Sequence, residues 1–193
     1  ELVTRGDGSR SAITRVVATG DADAPHALGL EGSFVLLGNA EREEWTLGVE
    51  AAVFEQSLEE PHITGLVVDA ATGEAWATTR GGGIVRCAAR SAAWAGVPLV
   101  VPPALGPCAI PKPDGGLRLG RLNDILLTPT HALVVIDECT AVLRLRRDDL
   151  ATSAVSRTGE AARRDTMLDL WGLASTPRGP VAVGGRGLVV EVR

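Results

Sequence analysis

An all-β fold is what this sequence predicts, and three observations carry the prediction. One pattern recurs four times: an apolar pair three residues apart, a polar turn, an apolar burst, a Gly-rich or polar turn, and a second burst. Pro or Gly interrupts the chain roughly every ten residues. β-branched residues dominate the bursts, which argues against helix. Repetition at a few tens of residues marks a repeat architecture, and the short antiparallel strands of each copy read as blades of a β-propeller. About four blades are expected, the first incomplete, in a single domain over residues 1–193.

Taken in chain order, Thr4-Arg5-Gly6-Asp7-Gly8 matches Thr79-Arg80-Gly81-Gly82-Gly83, with Ala12 to Val16 following as an outer strand. The chain is therefore expected to enter in mid-blade, with a first blade that lacks its inner strands. That implies part of a larger ring, completed by more of the same polypeptide or by another protein chain, because exposed strand edges invite aggregation. A worn copy of the pattern starts at Ala27 (ALGLEGSFVLLG). The second copy starts at Ile63. Ile63 and Leu66 open a strand, Asp69 to Gly73 turns it, Ala75 to Thr79 alternates large and small side chains, and Ile84 to Cys87 follows a triple-glycine turn. Residues 88–121, rich in Pro and Gly, read as an insertion: a long loop with an outer strand. The third copy starts at Leu122, and its run Leu133 to Ile136 is apolar on both faces, as a strand between two blades requires. Residues 148–167 read as a polar inter-blade loop, and the fourth copy, LWGLASTPRGPVAVGGRGLVVEV, starts at Leu170. The anchors Leu30, Leu66, Ile125 and Leu173 lie 36, 59 and 48 residues apart. A four-stranded blade needs about 40–50, so the first interval is short.

Composition is that of an ordinary globular protein: 45% hydrophobic and 22% charged residues. A net charge of −5 argues against non-specific nucleic-acid binding, which needs a basic surface. No apolar run approaches the roughly 18 residues of a membrane-spanning helix. No phosphate loop, GxSxG elbow, HExxH or dinucleotide fingerprint occurs, so no cofactor is expected. Cys87, Cys108 and Cys139 have no metal-ligand spacing, and no metal is expected. The favoured reading leaves them unbridged. The alternative is one bridge, Cys87–Cys108 or Cys108–Cys139, which would point to an exported protein; a periplasmic or extracellular location is favoured slightly over a cytoplasmic one.

The tail LDLWGLASTPRGPVAVGGRGLVVEV resembles the repeat of bacterial propellers of the photosystem-assembly-factor and sialidase-like (BNR) type, in which a Trp-x-x-Leu strand precedes a turn and a Val-Gly strand. The match is at the level of the repeat, over about half the chain. It departs from the sialidase kind in lacking a Ser-x-Asp-x-Gly-x-Thr-Trp box, and from WD repeats in lacking Gly-His and Trp-Asp pairs. Such propellers serve as assembly scaffolds, ligand binders and some hydrolases or lyases, so the resemblance selects no single activity.

Four residues could serve chemistry. His26 and His62 stand in a repeated phrase, PHALGL and PHITGL, at matching places in adjacent units, where equivalent positions gather on one face. The third and fourth units carry Arg121 and Asp169 near that place, which favours plain turn histidines. Asp124 and Asp169 lie at the starts of innermost strands, where paired carboxylates would reach a central channel; the competing reading is an Asp that accepts backbone hydrogen bonds in a turn. Glu41 to Glu60 holds seven glutamates, including Glu41, Glu43 and Glu44, against Arg42 alone, with Trp45 and Phe54 interleaved. An acidic patch with aromatic anchors suits a protein interface. Trp76 and Trp171 are expected in the core, and Trp94 as an exposed contact. The favoured function is a non-enzymatic protein-binding scaffold within a larger bacterial assembly. Its rival is a propeller hydrolase or lyase acting on a carbohydrate or small molecule through His26, His62, Asp124 and Asp169.

Overall fold

The structure, a computed structural model, describes residues 2–4, 10–23, 25–30, 34–39, 42, 44–49, 62–88, 93–113, 115–156 and 169–192. The chain divides into two compact units, Glu1–Val97 and Pro98–Arg193. Both consist of antiparallel sheets whose strands follow one another in chain order. Each sheet of three or more strands is one blade.

The first unit holds two blades. Blade 1 comprises β1 (Leu2–Thr4), β2 (Arg10–Ala18), β3 (His26–Leu30), β4 (Phe34–Asn39) and β5 (Glu44–Val49). Blade 2 comprises β6 (Ile63–Val68), β7 (Ala75–Thr79), β8 (Ile84–Cys87) and the short β9 (Ala95–Gly96). The turns are built as their residues require. The Asp69 carboxylate accepts the Ala71 N–H at 3.0 Å, and Gly73 takes φ +72°. Ala27 and Val35 of blade 1 close on Ile63, Leu66, Ala77 and Val85 of blade 2. That approach is tight enough to demand glycine: a Cβ on Gly29 would lie 2.5 Å from Cγ2 of Ile63.

The second unit opens with a 3₁₀ turn, Pro103–Cys108, and a hairpin of β10 (Ala109–Pro111) and β11 (Leu117–Leu119). Blade 3 follows: β12 (Leu122–Leu127), β13 (His131–Ile136), β14 (Ala141–Arg146) and β15 (Thr152–Ser156). Blade 4 is β16 (Leu170–Thr176), β17 (Gly179–Gly184) and β18 (Val189–Glu191). Leu133, Val135 and Val142 of blade 3 pack on Leu170, Ala182 and Val190 of blade 4. β15 falls inside the stretch read from sequence as an inter-blade loop; residues 157–168 lie outside the described set.

The four blades share one irregularity. One strand of each blade slips register by one residue, β2 between Ile13 and Arg15, β6 between Ile63 and Gly65, β12 between Leu122 and Asp124, and β16 between Leu170 and Gly172. These are β-bulges, which locally increase twist and re-aim a side chain. Aligning the blades on the bulge corrects the sequence register. The residues just before the bulges, Ile13, Ile63, Leu122 and Leu170, are 50, 59 and 48 residues apart, so no interval is short. The copy at Ala27 is out of frame: His26–Leu30 is β3, and the strand that matches β6, β12 and β16 is β2, Arg10–Ala18. Blade 1 therefore has the inner strand that the sequence reading denied it.

The cysteines also need correction. Cys108 and Cys139 form a disulfide that ties the end of the 3₁₀ turn to the β13–β14 turn, while Cys87 is a buried thiol. Sequence favoured three unbridged cysteines.

Candidate functional site

Of the polar residues picked out in the sequence, Asp124 ties two blades of the second unit together. Asp124 accepts the N–H of Ile125 at 3.0 Å through Oδ1 and that of Leu173 at 2.9 Å through Oδ2. The second bond crosses from blade 3 to blade 4. Asn123, at the bulge itself, repeats the move: its Nδ2 donates to the Leu170 carbonyl and to Oδ1 of Asp137, both at 3.0 Å. Arg121 approaches the far oxygen of Asp137 at 4.0 Å. The Asn123-Asp124 pair is thus a clamp between two blades, made possible because the bulge turns two successive side chains toward the neighbour.

Asp169 precedes β16, and its carbonyl accepts the Gly185 N–H. A Cβ on Gly184 would lie 2.1 Å from that same carbonyl oxygen, so the approach is open only to glycine. Its Oδ1 is buried and meets no hydrogen-bond partner among the described residues, as do Nδ1 of His26 and Nδ1 of His62. The two histidines are not at matching places. His62 lies one residue before β6, the innermost strand of blade 2, whereas His26 starts β3 of blade 1, opposite Ala18 and Gly38. Gly29, at the other end of β3, is the residue that meets Ile63. Among the described residues no group of three His, Cys, Asp or Glu is placed to hold a metal ion, and no helix is long and apolar enough to cross a membrane.

The sequence reading missed a polar cluster in blade 2. Trp76 has no exposed surface and Glu74 is 4% exposed. Oε1 of Glu74 accepts Nε1–H of Trp76 at 2.9 Å and Nε–H of Arg86 at 2.8 Å. Trp76 and Arg86 are cross-strand partners, and the guanidinium lies 5.2 Å from the ring centroid. The signal was available, since residues two apart on a strand share a face.

On blade 3, Nε2 of His131 faces the Arg144 guanidinium at 3.4 Å, and Nδ1 meets Oγ1 of Thr130 at 2.8 Å. This suits a neutral ring that donates from Nδ1 and accepts at Nε2. Burial lowers the His131 pKa from its ordinary 6.5, helped by Arg144 and Arg146; Asp148 opposes them. A depressed folded-state value means the fold binds the proton less well than the unfolded chain does. His131 therefore contributes full stability above pH 6.5 and loses it as pH falls below that value toward the folded pKa. In urea melts between pH 7.5 and 5, His131→Asn is expected to flatten part of the acid-side decline; an unchanged slope would rule out this linkage.

Of the residues expected at a partner surface, Glu41, Glu43 and Phe54 lie outside the described residues, as does most of the acidic stretch. Glu44 and Trp45 belong to β5, paired with Asn39 and Gly38. Trp94 is half-buried rather than exposed: it packs on the blade 1–blade 2 core and lines a cavity of about 80 Å³ with Thr19, Leu37, Val68 and Cys87. Trp171, expected in the core, is 58% exposed. It is the bulge residue of β16, where strict alternation breaks. Beside it Val183 and Val189, cross-strand partners on β17 and β18, are also exposed.

Solved structures share this arrangement at low sequence identity. The chain is similar to YCF48 from Cyanidioschyzon merolae, with a TM-score of 0.54 and 14% identity over 91% of this chain and 51% of that one. It is similar to the β-propeller domain of Cps50 (Swd1) from Myceliophteria thermophila, with a TM-score of 0.56 and 14% identity over 95% of this chain and 55% of that one. The fold is that of a β-propeller. The computationally designed protein Ika8 also matches, with a TM-score of 0.55 and 13% identity over 95% of this chain and 46% of that one. The chain thus spans about half the length of each of these three structures. No family model matches the sequence, and no curated protein matches it significantly.

Proposed function

We propose that the protein is a non-enzymatic, protein-binding scaffold module, one component of a larger assembly. The observation that carries this reading is how its carboxylates are used. Asp124 and Asp137 are engaged in the clamp around β12 and β16, and Glu74 is engaged by Trp76 and Arg86. An enzyme would instead bring several such groups to one pocket. The exposed apolar side chains of blade 4 and the acidic stretch around Glu41, Glu43 and Glu44 supply surface for a protein partner. The hydrolase or lyase reading draws on a specific observation of its own, the unpartnered buried Oδ1 of Asp169 and the Nδ1 atoms of His26 and His62.

Variants separate the two readings. In the native host, the assembly is sized by gel filtration of a mild extract. A Glu43→Lys/Glu44→Lys variant is expected to shift the protein out of its high-mass fraction. His62→Ala and Asp169→Asn are expected to leave that fraction unchanged. Loss of a host activity in the latter two, with the fraction intact, would contradict the scaffold reading.

A further inference from the structure

We infer that the cavity between blades 1 and 2 is a binding site for a small aliphatic primary amine. Such a site is independent of the protein-binding reading. Both blades belong to one compact unit, Glu1–Val97. The cavity measures about 80 Å³ and is partly open to solvent. Leu37 of β4 lines it from blade 1, and Val68 of β6 and Cys87 of β8 line it from blade 2. Trp94, between β8 and β9, adds an aromatic wall. Blade 3 shows how this register is otherwise filled. With the bulges aligned, the cross-strand ladder Val68, Ala75, Cys87 of blade 2 matches Leu127, Ala132, Leu145 of blade 3. Two leucines thus give way to a valine and a cysteine, and Leu145 has no exposed surface. A void in a core is destabilising. Blade 2 keeps one where the chain's own repeat supplies the residue that would fill it.

The lining sets the chemistry of the ligand. An apolar cavity of ~150 Å³ holds benzene, so about 80 Å³ leaves room for a chain of roughly three or four carbons. Leucine, valine, indole and thiol walls suit a saturated chain. Two described residues of the lining carry a side-chain oxygen, Thr19 and Asp21. Thr19 is buried, and its Oγ1 accepts the Asp21 N–H at 3.0 Å. Oδ1 of Asp21 in turn accepts the Asp23 N–H at 3.0 Å. These two bonds fix the loop that brings a carboxylate to the cavity. A carboxylate attracts an ammonium head, accepts its hydrogen bonds and repels an acid. A short alkyl tail with a primary ammonium head meets both requirements.

The test is ligand-observed NMR with the recombinant chain at neutral pH. The probe n-butylamine is expected to bind with a millimolar Kd. The alcohol n-butanol, which lacks the charge, should bind about tenfold more weakly, and butyrate not at all. Asp21→Asn should level the amine and the alcohol. Cys87→Leu, which copies the residue blade 3 carries in this register, should abolish amine binding while the thermal melt stays cooperative. Saturating n-butylamine should also slow the reaction of Cys87, the free thiol, with methyl methanethiosulfonate several-fold. No amine binding, equal wild-type affinity for amine and alcohol, or amine binding that survives in a folded Cys87→Leu chain would overturn the inference. Were the leucine variant not to fold, an unslowed reaction of Cys87 at saturating amine would overturn it instead. None of these outcomes touches the scaffold reading, which the native mass decides.

Discussion

Replacing Glu74 with alanine is expected to cost about 3–5 kcal/mol, the range for removing one partner of a buried ion pair. The carboxylate is the shared acceptor for the Trp76 indole and the Arg86 guanidinium, both donors within 3 Å. Arg86 closes on it a second time, Nη2 to Oε1, at 2.8 Å. Without it a fully buried indole N–H and a guanidinium that keeps only 22% of its surface both lose their acceptor. Glu74→Gln should fall between wild type and alanine, because its amide oxygen can still accept from Trp76 while the charge opposite Arg86 is gone. Urea midpoints with an unchanged slope would read the loss as stability alone. A Glu74→Ala cost under about 1 kcal/mol, the value of an exposed pair, would show that the cluster is not held as described.

The second large effect concerns the disulfide. Cys108 and Cys139 are 31 residues apart, and both are buried. Loop-closure entropy for a ring of that size is worth roughly 3–4 kcal/mol, in a model that assigns the gain to the unfolded chain. Cys108→Ser/Cys139→Ser is expected to lose about that much, and dithiothreitol should have little effect on the native wild type, whose sulfurs are shielded. Equal midpoints for wild type and the double serine variant would contradict this. The bond also bears on location, because structural disulfides persist in oxidising compartments.

Much of this fold was legible in the sequence, and the failures have identifiable causes. The strands of blades 2, 3 and 4 follow from alternation and turn residues, as in Ala75 to Thr79 after the Asp69 turn. The first copy went out of frame because ALGL and ITGL look alike while their glycines serve different ends. Gly65 lies at the bulge of its inner strand, whereas Gly29 makes room for Ile63 of the next blade. Bulges explain Trp171 too, since period-two counting buries it and the extra residue turns it outward. Asp124 was recognised as a special residue at the start of an inner strand. Its role as an inter-blade clamp depended on which backbone N–H lay opposite, which only the packing of β16 on β12 decides. The pairing of Cys108 with Cys139 was one of two bridges that spacing allowed.

The central claim is that this chain works by binding protein, and its most direct test is a comparison of masses. The protein is purified gently from its native source, and its mass under non-denaturing conditions is set against the denatured mass of the same chain. A complex heavier than the chain by at least one further polypeptide, the same or different, is the predicted result. Identical masses, from a well-folded solitary chain, would contradict it and return attention to Asp169, His26 and His62.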